Sequence, residues 1–347
     1  MNYFRQNINE AAGYTPGFQP KADNMVKLNT NENPYSPSPA VMEAIARLTP
    51  EQLRRYPDPP GDSFRQAAGQ LNGVSPDSIM CCNGGDDLLN IAIRAFCDET
   101  RPLAYPVPTY SLYPVLARIQ NCPIVEVPFA PDFQLPEMLF RTGAPLTIVC
   151  NPNAPTGSLI KPKELGILAS TLDGILLVDE AYVDFAPCHC VDLIRQFDNV
   201  ILLRSMSKGY SLAGIRFGYA MANPELIAGL MKIKDSYNVD AVSIAVATAA
   251  LEDQGCFQDH VDQIKRNRAN LIRELQHLGF DVPESHTNFV LAQSNGKPAA
   301  TLYEALAEKN IFIRYFSLPG LEDKLRISVG TPEQNQQLVC ALKEIVS

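Results

Sequence analysis

From about residue 41 to residue 240, short apolar runs alternate with stretches of helical periodicity. "SIMCC" (78–82) leads through "NGG" into the helical pattern "DDLLNIAIRAF", and "PLTIVC" (145–150) ends at "NPNAPTG". "ILLVD" (175–179) and "NVILLRS" (199–205) follow. Each run is apolar throughout, the pattern of a strand covered on both faces. Strands alternating with helices predict βα units, a mostly parallel sheet and an α/β fold. After about residue 250 the texture changes. A long helix over roughly 257–278 places Ile264, Leu271, Leu275 and Leu278 on one stripe. Strand candidates "NFVLAQ", "IFIRYF" and "LRISV" then mix with helices near 298–309 and 332–345. They predict a smaller α+β unit with helices on one face of its sheet.

Residues 1–40 show no period, and "LNTNENPYSPSP" holds too many turn formers for a helix or a strand interior. Leu28, Tyr35 and the asparagines are odd choices for a solvated tail, so the segment reads as an ordered arm over a site or a neighbouring subunit. The expected organisation is an arm (1–40), a large domain (41–250) and a small C-terminal domain (251–347).

Composition narrows the function. The 347 residues are 46% hydrophobic and 19% charged, with a net charge of −9. No basic stripe stands out, which argues against a nucleic-acid partner. No apolar run approaches the ~18–20 residues that span a bilayer. "MNYFRQNINEAAGYTPG" lacks the apolar core of a signal peptide. The nine cysteines are odd in number and irregular in spacing, as expected of free thiols in a reducing cytoplasm. "CHC" at 188–190 and the adjacent Cys81 and Cys82 have no second half-site, so no metal is expected.

The candidate chemistry centres on "RSMSKGYSLAGIRFGY" (204–219). Lys208 follows a strand in a Ser/Gly-rich bend, and Ser205, Ser207 and Arg216 can all address one anion. A lysine beside a phosphate site suggests a phosphorylated aldehyde cofactor held as a Schiff base, of which pyridoxal phosphate is the obvious member. Such a cofactor needs an acidic partner for its ring nitrogen. Asp179 fits, at the carboxyl end of its strand, where ligands gather in open parallel sheets. Tyr182 is placed to donate to the ring's phenolate oxygen. "NGGDDLLN" supplies a strand, two glycines and a helix opening at Asp86, a phosphate-binding helix start. Tyr110 is a candidate for stacking on the ring.

"NPNAPTG", "VDEAYVDF" and "RSMSKGYSLAGIRFGYA" together resemble fold-type I aminotransferases dependent on pyridoxal phosphate. With "LNTNENPYSPSP", "RYPDP" and "LRISVGTPEQN" added, the chain resembles the histidinol-phosphate aminotransferase branch from about residue 14 onward. The resemblance implies a large domain with a mostly parallel seven-stranded sheet and a smaller C-terminal domain. Lys208 would bond the cofactor and then carry a proton between the substrate and cofactor carbons. Asp179 would pair with the ring nitrogen and Tyr182 with the phenolate oxygen. Ser205, Ser207, Arg216 and the backbone at Gly85–Asp86 would hold the cofactor phosphate, with Tyr110 on the ring. Tyr56 would reach the cofactor phosphate of a second subunit, making a homodimer with shared active sites. Arg326, helped by Arg314 and Tyr14, would take the substrate phosphate, and Asn29 lies in an arm that closes over the substrate.

One position departs from the family. Where relatives carry an asparagine before "PTG", this chain has Ala154, leaving Asn153 or Asn151 as replacement donors. A lost neutral hydrogen bond costs ~1 kcal/mol, so activity should survive. The Ala154–Pro155 bond is a candidate for the cis form. On the same scaffold, transamination of aromatic amino acids and decarboxylation of threonine phosphate are the rival activities. A regulatory binding module would need a DNA-binding segment and a basic surface, and neither is evident.

Overall fold

The structure, a computed structural model, describes residues 3–21, 24–130 and 133–346. Residues 1, 2, 22 and 23 of the expected arm, and residue 347 of the expected C-terminal domain, lie outside the described residues. In chain order the strands are β1 (Val26–Lys27), β2 (Ile79–Cys82), β3 (Leu103–Val107), β4 (Ile124–Pro128), β5 (Leu146–Cys150), β6 (Ile175–Asp179), β7 (Val200–Ser205), β8 (Gly218–Ala222), β9 (Phe289–Gln293), β10 (Ile311–Phe312), β11 (Arg314–Tyr315) and β12 (Lys324–Ser328).

Seven of them form one sheet in the order β2-β8-β7-β6-β5-β3-β4, in which only β8 runs antiparallel to its neighbours. Consecutive residues enter opposite cores. Ile79, Cys81, Val149, Val178 and Leu202 join one apolar cluster, while Met80, Cys82, Ile148, Leu177 and Leu203 join the other. Both faces are covered by helices, which is why these strands read as solid apolar runs. Each Leu or Ile buried this way contributes about 1.5–3 kcal/mol.

Three strands of the sheet escaped the pattern. β3 contains Pro106 and pairs with β5 only through Leu103 and Ala104, so the missing N–H falls where that ladder has ended. β4 lies at the edge and carries the exposed Glu126. β8, "GYAMA", starts on a glycine and is rich in alanine, so it lacks the β-branched signature although all five residues are buried.

A second, three-stranded antiparallel sheet has the order β11-β12-β9. The expected strand "IFIRYF" is two short strands. β10 pairs in parallel with β1 of the N-terminal arm, and after Ile313 the chain turns to pair β11 with β12. Val26 and Leu28 thereby enter the C-terminal core beside Val290, Leu325 and Ile327, so the arm is anchored. The long helix runs Gln254–His277, beginning where Asp253 accepts from the Cys256 amide at 3.2 Å. Ile264 packs toward the large sheet and Leu271 and Leu275 toward the C-terminal core, while Leu278 falls just past the helix end. No helix among the described residues is long and apolar enough to cross a membrane.

Candidate active site

The parallel strands β5, β6 and β7 end at Cys150, Asp179 and Ser205, and their carboxyl ends open into a cavity of about 500 Å³. Asp179 lies at its base, 3% exposed. The Tyr113 hydroxyl donates to its Oδ2 at 2.7 Å and the Ala181 amide to its Oδ1 at 3.1 Å. Burial still pushes the carboxyl up to about 6, against the pull of both donors. A cationic N–H arriving there would therefore meet a carboxylate short of a positive partner.

Lys208 lines the same cavity, its Nζ 5.5 Å from the centre of the Tyr182 ring. Burial, with Arg326 and Arg216 adding to it, lowers its ammonium to about 8, while Glu32 and Asp86 oppose the shift. The backbone beneath it is clamped. Asn33 Nδ2 donates to the carbonyls of Lys208 and Gly209, each at 3.1 Å, and the Gly209 amide donates to Asp184 at 3.2 Å. A β-carbon on Gly209 would collide with Asp184 and Phe257, so only glycine admits this approach.

The third feature is an anion cradle. Gly84 adopts φ +81° and the helix Gly85–Phe96 begins directly after it, offering free N–H groups. A β-carbon on Gly84 would sit 2.9 Å from Arg216 Nη2, so this glycine lets the guanidinium lie on the turn. Arg216 donates to Ser207 Oγ at 3.4 Å and pairs with Asp86 at 3.3 Å, and the Ser207 amide donates to Ser205 Oγ at 3.1 Å. Tyr110 donates to Asp86 at 3.3 Å and meets Tyr14 edge-on at 6.0 Å.

The C-terminal sheet supplies further cations to the cavity wall. Arg314 and Arg326 both line it. Arg326 donates through Nη2 to the Asn29 carbonyl at 2.9 Å, while its buried Nε has no partner. An unpaired buried donor is costly and is satisfied when an anion enters.

The structure thus gathers Tyr14, Asn29, Gly85, Asp86, Tyr110, Asp179, Tyr182, Ser205, Ser207, Lys208, Arg216, Arg314 and Arg326 on one cavity wall. Two expected residues are elsewhere. Tyr56 is 80% exposed and stacks on Tyr237 at 4.3 Å. Asn153 uses its amide to tie its loop to the one after β3, donating to the Pro108 carbonyl and to Thr156 and accepting from Thr109. Asn151 is likewise consumed, donating to and accepting from the backbone of Ile160. Both amides therefore have partners within the protein, while Ala154 itself lines the cavity. The Ala154–Pro155 bond is cis, as are Val107–Pro108 and Asn151–Pro152.

Sequence reasoning missed Tyr113, Asn31 and Asn33. Tyr113 lies in the first turn of the helix Leu112–Gln120, just after Tyr110, and only folding brings it to Asp179; the arm asparagines meet partners some 150–175 positions away. Among the described residues no cluster of His, Cys, Asp or Glu is disposed to hold a metal ion, and all nine cysteines are free.

The residues fit pyridoxal phosphate: a glycine-lined cradle with Arg216 for its phosphate, a buried carboxylate for its ring nitrogen and a lysine of lowered basicity for its aldehyde. Comparison with known proteins agrees. The family described as aminotransferase class I and II matches residues 23–342. The chain is 47% identical to histidinol-phosphate aminotransferase 1 of Trichormus variabilis, covering 99% of each chain. It is 45% identical to histidinol-phosphate aminotransferase of Citrifermentans bemidjiense, again over 99% of each. The crystal structure of histidinol-phosphate aminotransferase from Sinorhizobium meliloti in complex with pyridoxal-5'-phosphate superposes with a TM-score of 0.90, at 26% identity over 100% of this chain and 98% of that one.

Proposed function

Because the chain belongs to the class I and II aminotransferases, and within them to the histidinol-phosphate aminotransferases, we propose that it exchanges an amino group between L-histidinol phosphate and 2-oxoglutarate in histidine biosynthesis. The products are imidazole-acetol phosphate and L-glutamate, and in the biosynthetic direction glutamate is the amino donor. One observation carries this reading: a single cavity is lined by Lys208, by the Arg216 cradle and by the Arg314–Arg326 pair. Both substrates bring an anionic arm, a phosphate or a γ-carboxylate, that a guanidinium fork can take.

Pyridoxal phosphate, when bound, supplies an aldehyde that holds the amino group and a ring that takes up charge released at the substrate carbon. The protein supplies the rest. Ser205, Ser207, Arg216 and the helix start at Gly85–Asp86 hold the cofactor phosphate. Asp179 keeps the ring nitrogen protonated, held for that task by Tyr113. Tyr182 donates to the phenolate oxygen, and Tyr110 packs against the ring. Lys208, lowered to about 8, reaches its neutral form near physiological pH and so can accept the proton from the substrate carbon and return it. Arg314, Arg326, Tyr14 and Asn29 seat the substrate's anionic arm.

We further place the arm at 1–40, the cofactor domain at 41–250 and the small domain at 251–347, and read the enzyme as a cytoplasmic homodimer. Met42, Leu53 and Tyr56 are 60–80% exposed on neighbouring segments, an apolar surface that suits a second copy. Tyr56 would then complete the partner's phosphate cradle.

The test is steady-state kinetics with 2-oxoglutarate against four amino donors: histidinol phosphate, phenylalanine, tyrosine and threonine phosphate. The highest kcat/KM for histidinol phosphate is expected. Equal or higher values for the aromatic amino acids, or carbon dioxide released from threonine phosphate, would overturn the assignment.

A further inference from the structure

The arm residue Asn31 is nearly fully buried, 2% exposed, and lines the cavity, yet no part of the chemistry above uses it. Its Nδ2 donates to the Tyr182 hydroxyl at 3.0 Å. Its amide orientation is fixed from the other side. The Asn31 backbone N–H donates to Ser328 Oγ at 2.9 Å, and the Ser328 hydroxyl in turn donates to Asn31 Oδ1 at 2.9 Å. Asn288 Nδ2 donates to the Asn31 carbonyl at 2.9 Å. With Oδ1 committed to Ser328, the side chain presents a donor to Tyr182, not an acceptor. The phenol oxygen thus receives a hydrogen bond, and its own proton is left to point elsewhere.

We infer that Asn31 is a positioning residue that aims the phenolic proton of Tyr182 into the cavity, in a chain where Ala154 offers no side-chain donor of its own. The inference rests on the proposed aminotransferase reading, since it needs an acceptor on the bound cofactor. The backbone supports it as well. Asn31 sits at φ +58°, a left-handed conformation that asparagine and aspartate tolerate better than other side chains. Ser328 lies two residues beyond Arg326 on β12, and Arg326 also holds the Asn29 carbonyl. The strand that carries the substrate's arginine therefore also sets the amide that orients Tyr182. Burial raises the phenol to about 12, so it stays protonated and able to donate.

Asn31→Asp is the sharpest test, because it keeps the size, the tolerated backbone and the Ser328 contact. An ionised carboxylate only accepts, so it would draw the Tyr182 proton to itself and reverse the hydrogen bond. In the cofactor-loaded protein, the pH midpoint of the cofactor's visible absorbance is expected to rise by about one unit. The kcat for histidinol phosphate should fall about tenfold, for a loss of about 1.4 kcal/mol, with KM changed less than about twofold. A new negative charge alone could shift the midpoint, so the same substitution is made in Tyr182→Phe. There the further shift and the further loss of kcat should vanish. An Asn31→Asp profile superimposable on wild type, or an equal shift in the Tyr182→Phe background, would overturn the inference while leaving the aminotransferase reading intact. A wild-type protein with no visible cofactor band would overturn both.

Discussion

Arg314 and Arg326 stand opposite each other as Cα partners on β11 and β12, with both guanidinium groups just over 5 Å from the Phe316 ring, at 5.1 and 5.3 Å. Two like charges on one wall repel unless an anion joins them, and the Nε of Arg326 is buried without a partner, free to meet one in the proposed site. Arg326→Gln should therefore lower kcat/KM for histidinol phosphate by about 100-fold, as expected for losing a charge-assisted fork. Dephosphorylated histidinol, which carries no anionic arm, should lose almost nothing. Equal losses on both would remove Arg326 from the anion site.

Lys208 should be indispensable for turnover and unfavourable for the empty fold. Lys208→Met is expected to abolish transamination while still binding cofactor through the phosphate cradle. Its stability carries a pH signature. The folded ammonium titrates near 8, below the 10.5 of a free lysine. The wild-type side chain is therefore unpenalised above about pH 10.5 and destabilising as pH falls through 8. Thermal unfolding of the cofactor-free proteins should find Lys208→Met more stable at pH 7, by up to about 3 kcal/mol, and no different near pH 11. A constant gap across that range would contradict the buried-ammonium assignment.

Asp179 gives the opposite pH window. Its folded carboxyl titrates near 6, above the 3.8 of a free aspartate. Wild type keeps its stability below about pH 4 and loses it as pH rises through 6. Cofactor-free Asp179→Asn should match wild type at pH 4 and exceed it at pH 8 by up to about 3 kcal/mol, because the Ala181 amide can keep the side-chain oxygen while the Tyr113 hydroxyl turns to accept from the new NH2. With cofactor bound, the same variant should lose at least about 10³-fold in kcat, since a neutral amide cannot hold the ring nitrogen's proton.

Tyr56 supplies a test of the dimer. Tyr56→Ala and Lys208→Met should each be nearly inactive alone. Mixed after dissociation and reassociated, they form heterodimers in which one site has both native residues. Random pairing should restore about a quarter of wild-type activity. No recovery, with mixed dimers demonstrated, would place Tyr56 outside the partner's site.

The sequence exposed the strands that end on chemistry because both their faces are buried, so "ILLVD" and "NVILLRS" are unbroken apolar runs. Lys208, Ser205, Ser207 and Arg216 share one local motif, and their common direction could be read from spacing. What stayed hidden depends on long-range contacts or on a tolerant edge. β3 and β4 are interrupted by Pro106 and Glu126, which only the outer part of a sheet accepts. The arm's Asn31 and Asn33 look identical to Asn29 in "NTNENP", and only folding shows that one reaches Tyr182 and another Lys208. Asn153 makes the same point: its amide is taken up by Pro108 and Thr109, some 45 positions away, as well as by neighbouring Thr156.

In the proposed reaction one cavity passes an amino group from histidinol phosphate by way of the cofactor to an oxo acid, with Lys208 moving the proton. A single-turnover absorbance experiment on the cofactor-loaded protein tests it directly. Histidinol phosphate added without an oxo acid should bleach the cofactor's visible band rapidly to that of its amine form, and 2-oxoglutarate should then restore it with one glutamate released per site. A band that histidinol phosphate leaves unchanged, or that 2-oxoglutarate fails to restore, would rule out this amino transfer.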